Sequence, residues 1–109
     1  MGKDNERKEE VKEIVARLGG AFWESRAFLT AVELDLFSAL SGAPLTAVEV
    51  AQRIAAAPRS TARLLDSLVV LGILGRDGER YVLDEAARAL LVPGEPEYDG
   101  GLRHMAHLW

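Results

Sequence analysis

The stretch "RLLDSLVVLGILGRDGERYVL", from Arg63 to Leu83, decides the fold. Leu64, Leu65, Leu68 and Leu71 recur at helical spacing, so a helix starting at Arg59 or Ser60 buries one stripe. Gly72 is the natural stop for that helix, because glycine accepts the left-handed conformation that closes a helical end. Two short apolar runs follow, "GILGR" and "ERYVL", with Asp77-Gly78 between them. That pair is a hairpin signal, since a tight primed turn needs residues tolerant of positive φ.

The neighbouring segments extend the pattern in both directions. Upstream, Thr46 followed by Glu49 is a capping box, which opens a helix running to about Ala56. Pro58 closes the turn after it. Downstream, Asp84 caps the short helix "DEAARALLV". Helix, helix, hairpin and helix in this order predict a winged helix-turn-helix. Two longer helices precede it. In residues 4–18, Val11, Ile14, Val15 and Leu18 lie at i, i+3, i+4 and i+7 among charged residues, an amphipathic stripe. Gly19-Gly20 is expected to break or bend the chain. "AFWESRAFLTAVELDLFSAL" then runs to Leu40, apolar around most of its circumference.

The fold class expected is therefore mainly α: a winged helix-turn-helix with two extra N-terminal helices and a two-stranded β-hairpin wing. Residues 1–20 form the amphipathic helix and residues 21–92 the winged-helix domain. Residues 93–109 are a loop, "PGEPEYDGG", and the start of a further helix, "LRHMAHLW". That apolar pattern is still running at Trp109, as expected for a piece of a longer chain.

Composition narrows the function. The 109 residues suit one domain, with 49% hydrophobic and 28% charged residues, which is globular rather than disordered. The absence of cysteine removes disulfides and thiolate metal sites. The charged start "MGKDNERKEE" is followed by no apolar run and resembles no secretory signal, and no stretch suits a bilayer, so a cytoplasmic location is expected.

A winged helix raises the question of DNA. The net charge is −4. From Pro44 to Val92, six arginines stand against six carboxylates, so the segment carries no basic footprint. The outward face of the leucine helix holds Ser60, Arg63, Asp66, Ser67 and Val70, and Asp66 there would repel phosphate. Specific nucleic acid binding is not expected, although a transcription regulator remains the alternative. His104 and His107 lie three apart without further ligands for zinc. Gly19-Gly20 and Gly100-Gly101 follow no strand and lack nucleotide-loop spacing. No catalytic, cofactor-binding or metal residues are expected in this chain.

The aromatic-rich segment is the remaining signal. A helix apolar on two faces needs covering on both, and a small domain has few elements to do it. A homodimer through residues 22–40 is the expected answer, with Phe22, Trp23, Phe28 and Val32 in contact and Val11, Ile14 and Leu18 as exchanged partners.

The run from the aromatic helix into "AVELDLFSAL", then "LTAVEVAQRI", "LGIL", the wing and "YVLDEAARALLV" resembles a known family. It is similar to the N-terminal dimerisation domain of S-adenosylmethionine-dependent small-molecule O-methyltransferases, over about Leu18 to Trp109. "GGLRHMAHLW" resembles the helix leading to their catalytic domain. The family often has glycine where this chain has Asp35. The resemblance implies a homodimer and a share in lining the acceptor pocket, with Trp23, Met105 and Trp109 as candidates. It also implies that S-adenosylmethionine binds in the full-length parent, on a domain these residues do not include. A free-standing dimerisation module is the third alternative.

Overall fold

The computed structural model describes residues 2–98, the side chains of residues 2 and 20–22 excepted. Eight elements follow one another: α1 (Gly2–Glu33), α2 (Leu36–Ala39), β1 (Leu45–Thr46), α3 (Ala47–Ile54), α4 (Pro58–Val70), β2 (Gly75–Asp77), β3 (Arg80–Val82) and α5 (Glu85–Leu91). The architecture is the mainly α winged helix-turn-helix, with α3 and α4 as the helical pair and β2–β3 as the wing.

Local chemistry sets the boundaries. Thr46 and Glu49 form both bonds of the capping box: the Glu49 N–H donates to Thr46 Oγ1 at 3.3 Å, and the Thr46 N–H donates to Glu49 Oε1 at 3.0 Å. Pro58 is the first residue of α4, where its missing N–H leaves no helical bond unmade, so α4 starts earlier than the Arg59 or Ser60 expected. Gly72 does take positive φ, at 85°, just past the end of α4. Asp84 Oδ1 accepts from the Ala87 N–H at 2.8 Å and caps α5.

Three features differ from the sequence expectation. Gly19 and Gly20 do not break the chain, and α1 runs through both. Each glycine weakens a helix by about 1 kcal/mol relative to alanine, a cost the flanking helix formers absorb. The break falls at Asp35 instead, which takes the left-handed conformation (φ 57°) and accepts a bond from Ser38 Oγ at 2.6 Å. Aspartate tolerates that region better than most residues, so it stands where the family often has glycine. Second, the wing is part of a three-stranded antiparallel sheet in the order β1-β3-β2, with Leu45 opposite Tyr81. Third, Asp77 pairs with Arg80, so the two loop residues are Gly78 and Glu79. Gly78 alone has positive φ, the pattern of a II′ turn.

The core lies between the C-terminal half of α1, α2, α3, α4 and the sheet. Leu29, Leu36, Phe37, Val50, Leu65 and Leu68 are its largest fully buried side chains. Leu64 and Leu71, expected in the buried stripe of α4, are half-buried at its margin.

Candidate subunit interface

α1 contains 32 residues, about 48 Å of helix at 1.5 Å per residue. Its C-terminal half belongs to the domain body. Its N-terminal half leaves it: every side chain from residue 3 to residue 19 is exposed. Val15 and Leu18 are 62% and 61% exposed, and Val11 and Ile14 lie beside them on one face. The charged faces are held by Arg7–Glu10 and Lys12–Glu9 ion pairs, both at 3.3 Å. Such exposed pairs add only a few tenths of a kcal/mol each. An apolar stripe on an otherwise unsupported helix is unusual, because most helical stability comes from packing that stripe.

Where α1 meets the body, a groove of about 620 Å³ opens between it and α4. Trp23, Ala27 and Leu34 form the wall on α1, and Ser60, Thr61 and Leu64 the wall on α4. Trp23 is 63% exposed at its mouth, and a smaller hollow continues past it to Val70 and Leu71. Arg26, also in the lining, donates to Thr30 Oγ1 at 3.2 Å and pairs with Glu33 at 3.3 Å. Thr61 is buried, and its hydroxyl donates to the Ala57 carbonyl at 2.8 Å. Arg63, Asp66 and Ser67 add polar groups to the α4 side of the lining.

Asp66, at the α4 edge of the groove, is tied to the wing. Its carboxylate accepts from the Tyr81 hydroxyl and pairs with Arg76 at 3.1 Å, while the Arg76 guanidinium lies 5.1 Å from the Tyr81 ring centroid. Burial, then the Asp66 hydrogen bond and charge, push the Tyr81 hydroxyl above its ordinary pKa. Arg80 is turned towards Glu49 at 3.6 Å and donates to the Pro44 carbonyl at 3.3 Å. Both wing arginines are thus engaged in bracing the wing, and Asp66 occupies the face a DNA reader would use.

The expected site residues separate into groups. Val11, Ile14, Leu18 and Trp23 stand on the uncovered part of α1. Val32, expected in the interface, is 8% exposed inside the chain's own core. Phe28 is half-buried, with its ring centroid 6.1 Å from that of Phe37. The latter part of residues 22–40 needs no outside cover: Leu29, Ala31, Leu36, Phe37 and Leu40 are buried in the chain's own core. Met105, Trp109, His104, His107 and the Phe22 side chain lie outside the described residues. Val15 and the α4 wall of the groove are not among the interface candidates read from the sequence, whereas Trp23 on the α1 wall is. Val15 was visible in the stripe, whereas the wall required knowing that α4 crosses α1. Among the described residues no group of carboxylates and histidines could hold a metal, and no helix is long and apolar enough to cross a membrane.

A profile of the family described as "O-methyltransferase dimerisation domain" matches residues 15–93. The chain belongs to that family. Among curated relatives, it is 43% identical over 93 residues to the tetracenomycin polyketide synthesis 8-O-methyl transferase TcmO of Streptomyces glaucescens, covering 84% of this chain and 27% of that one. It is 41% identical over 98 residues to the N,N-dimethyltransferase OxyT of Streptomyces rimosus, with coverages of 85% and 28%. Among solved structures, human N-acetylserotonin methyltransferase in complex with SAM superimposes with a TM-score of 0.75 at 26% identity, over 87% of this chain and 30% of that one. This O-methyltransferase dimerisation domain therefore spans little more than a quarter of the length of the curated relatives it matches.

Proposed function

We propose that this dimerisation domain joins two identical chains through the N-terminal half of α1, and that it serves a larger S-adenosylmethionine-dependent methyltransferase. The observation that carries the first part is the exposed stripe of Val11, Ile14, Val15 and Leu18, with Trp23 exposed farther along α1. A charged helix carrying an uncovered apolar stripe gains most from a second copy, and twofold pairing covers both stripes at once. The relatives support the second part. Their named activities are O-methyl and N,N-dimethyl transfer, so the acceptor of this chain's parent is a small molecule bearing oxygen or nitrogen.

In this reading the methyl donor binds in the parent's catalytic domain, and the present residues contribute assembly. Trp23, with Met105 and Trp109, is the proposed contribution to the acceptor pocket. Coexpression of the chain under two different affinity tags tests the assembly directly. Sequential purification on both tags should retain both forms in equal amount. Loss of the second tag at the second column would contradict the homodimer.

A further inference from the structure

We infer that Asp66 silences a polyanion-binding face of this winged helix. Arg59 and Arg63 of α4, with Arg76 of the wing, form a strip for the phosphates of a nucleic-acid duplex, and Asp66 in their midst excludes it. The strip requires no second copy of the chain. Asp66 is the one carboxylate in the 13 residues of α4, against two arginines. Arg59, Arg63 and Asp66 lie at i, i+4 and i+7, so they follow one face of that helix, and all three are exposed.

Asp66 also brings the wing to that face. Its Oδ1 accepts from the Tyr81 hydroxyl and from Arg76 Nη1 at 3.1 Å, and the Arg76 guanidinium lies 5.1 Å from the Tyr81 ring centroid. Arg76 Nε donates to the Gly78 carbonyl at 2.9 Å. Arg76 is therefore held beside the exposed face of α4, with its charge spent on Asp66. α4 is the second helix of the helix-turn-helix, the one such folds lay in the major groove between two phosphate strands.

Charge then decides whether a duplex stays. Phosphate contacts supply essentially all sequence-independent affinity, and a carboxylate placed among the contacting arginines opposes it. Asp66 stands one turn beyond Arg63 and in contact with Arg76, where a phosphate bridging those two arginines would have to sit. The overall charge of −4 acts at longer range and is screened by salt. An asparagine at position 66 keeps an amide oxygen for the Tyr81 hydroxyl and removes the ion pair. That pair is exposed, at 47% and 53% for its two side chains, and such pairs add little to stability, so the wing holds its place without it. One carboxylate, rather than the fold, separates this chain from a non-specific DNA binder.

Fluorescence anisotropy with a labelled duplex of arbitrary sequence tests this on the 109-residue chain. At about 50 mM salt, Asp66→Asn should bind roughly tenfold more tightly than the unaltered chain, with a log–log salt slope steeper by about 0.9, the value of one added phosphate contact. Adding Arg76→Ala to Asp66→Asn should cancel the gain. Glu85→Gln makes the same change of charge on α5 and should gain no more than about twofold. Tyr81→Phe loosens the wing but leaves the carboxylate in place, and should gain nothing. Far-UV circular dichroism reports whether each variant is folded, and Asp66→Ser replaces Asp66→Asn, with the same expectation, if the helical signal falls. An Asp66→Asn chain that binds like the unaltered one overturns the inference. So does a gain equalled by Glu85→Gln or Tyr81→Phe, or one that survives Arg76→Ala.

Discussion

The two halves of α1 share one helix and meet opposite surroundings. In the C-terminal half, Leu29 is 2% exposed and Ala31 fully buried, because α2, α3 and α4 fold against that face. In the N-terminal half, residues of the same apolar character stand in solvent. Both halves are helical and both carry an apolar face. They differ in what folds back on them: α2 and α4 pack beside the last turns, while every described residue from 3 to 19 stays exposed. An apolar stripe states that a face will be covered. It does not state by which chain.

Paired truncations would break that comparison most sharply. Leu29→Ala should cost about 2–5 kcal/mol of body stability, the usual loss for a large side chain removed from a close-packed core. Leu18→Ala should change the unfolding of the dilute monomer by no more than about 0.5 kcal/mol, and weaken the dimer instead. Urea unfolding at low protein concentration reads the first effect, and its concentration dependence reads the second. Equal losses of monomer stability would mean that Leu18 packs within its own chain.

A smaller effect concerns the capping box, which lies wholly in the body. Thr46→Ala should cost about 0.5–2 kcal/mol by removing the side-chain cap of α3. Hydrogen bonds from Thr46, first from its backbone N–H and then from its hydroxyl, hold the Glu49 carboxyl below its ordinary value. A depressed folded-state pKa contributes stability that is fully present above the unfolded value and lost as pH falls through the folded one. Acid titration of unfolding should therefore show the body weakening below about pH 4.5, with a shallower decline in Glu49→Gln. An unchanged acid limb in that variant would remove Glu49 from the account.

The smallest effect tests the continuity of the helix itself. Gly19 has no positive φ, and a Cβ added there meets nothing within 4 Å. Gly19→Ala should therefore raise helix stability by about 1 kcal/mol, visible as added ellipticity and a higher melting temperature. A loss of stability would show that the chain bends at Gly19 after all.

Much of the fold was legible because its signals are local. The Thr46–Glu49 box, the stop at Gly72 and the cap at Asp84 each depend on residues within four positions of one another. What failed depends on context. Gly19-Gly20 reads as a break by composition, yet glycine only permits a bend, and the bend came at Asp35, where the chain must turn to bring Leu36 and Phe37 into the core. β1 is two residues long, too short for any alternation to mark it. Asp66 was legible as a charge unsuited to DNA, but its service to Tyr81 and Arg76 required knowing that the wing folds back on α4. The candidate interface divides in the same way. The stripe at Val11 to Leu18 is a sequence pattern, while Val32 was assigned outward because its cover comes from residues far along the chain.

Sedimentation equilibrium of the 109-residue chain at micromolar concentration tests the central claim most directly. The account predicts a single species of twice 11.9 kDa, giving way to 11.9 kDa when Val15 and Leu18 are both replaced by glutamate. A species of 11.9 kDa for the unaltered chain across that range, or a dimer indifferent to those two replacements, would contradict it.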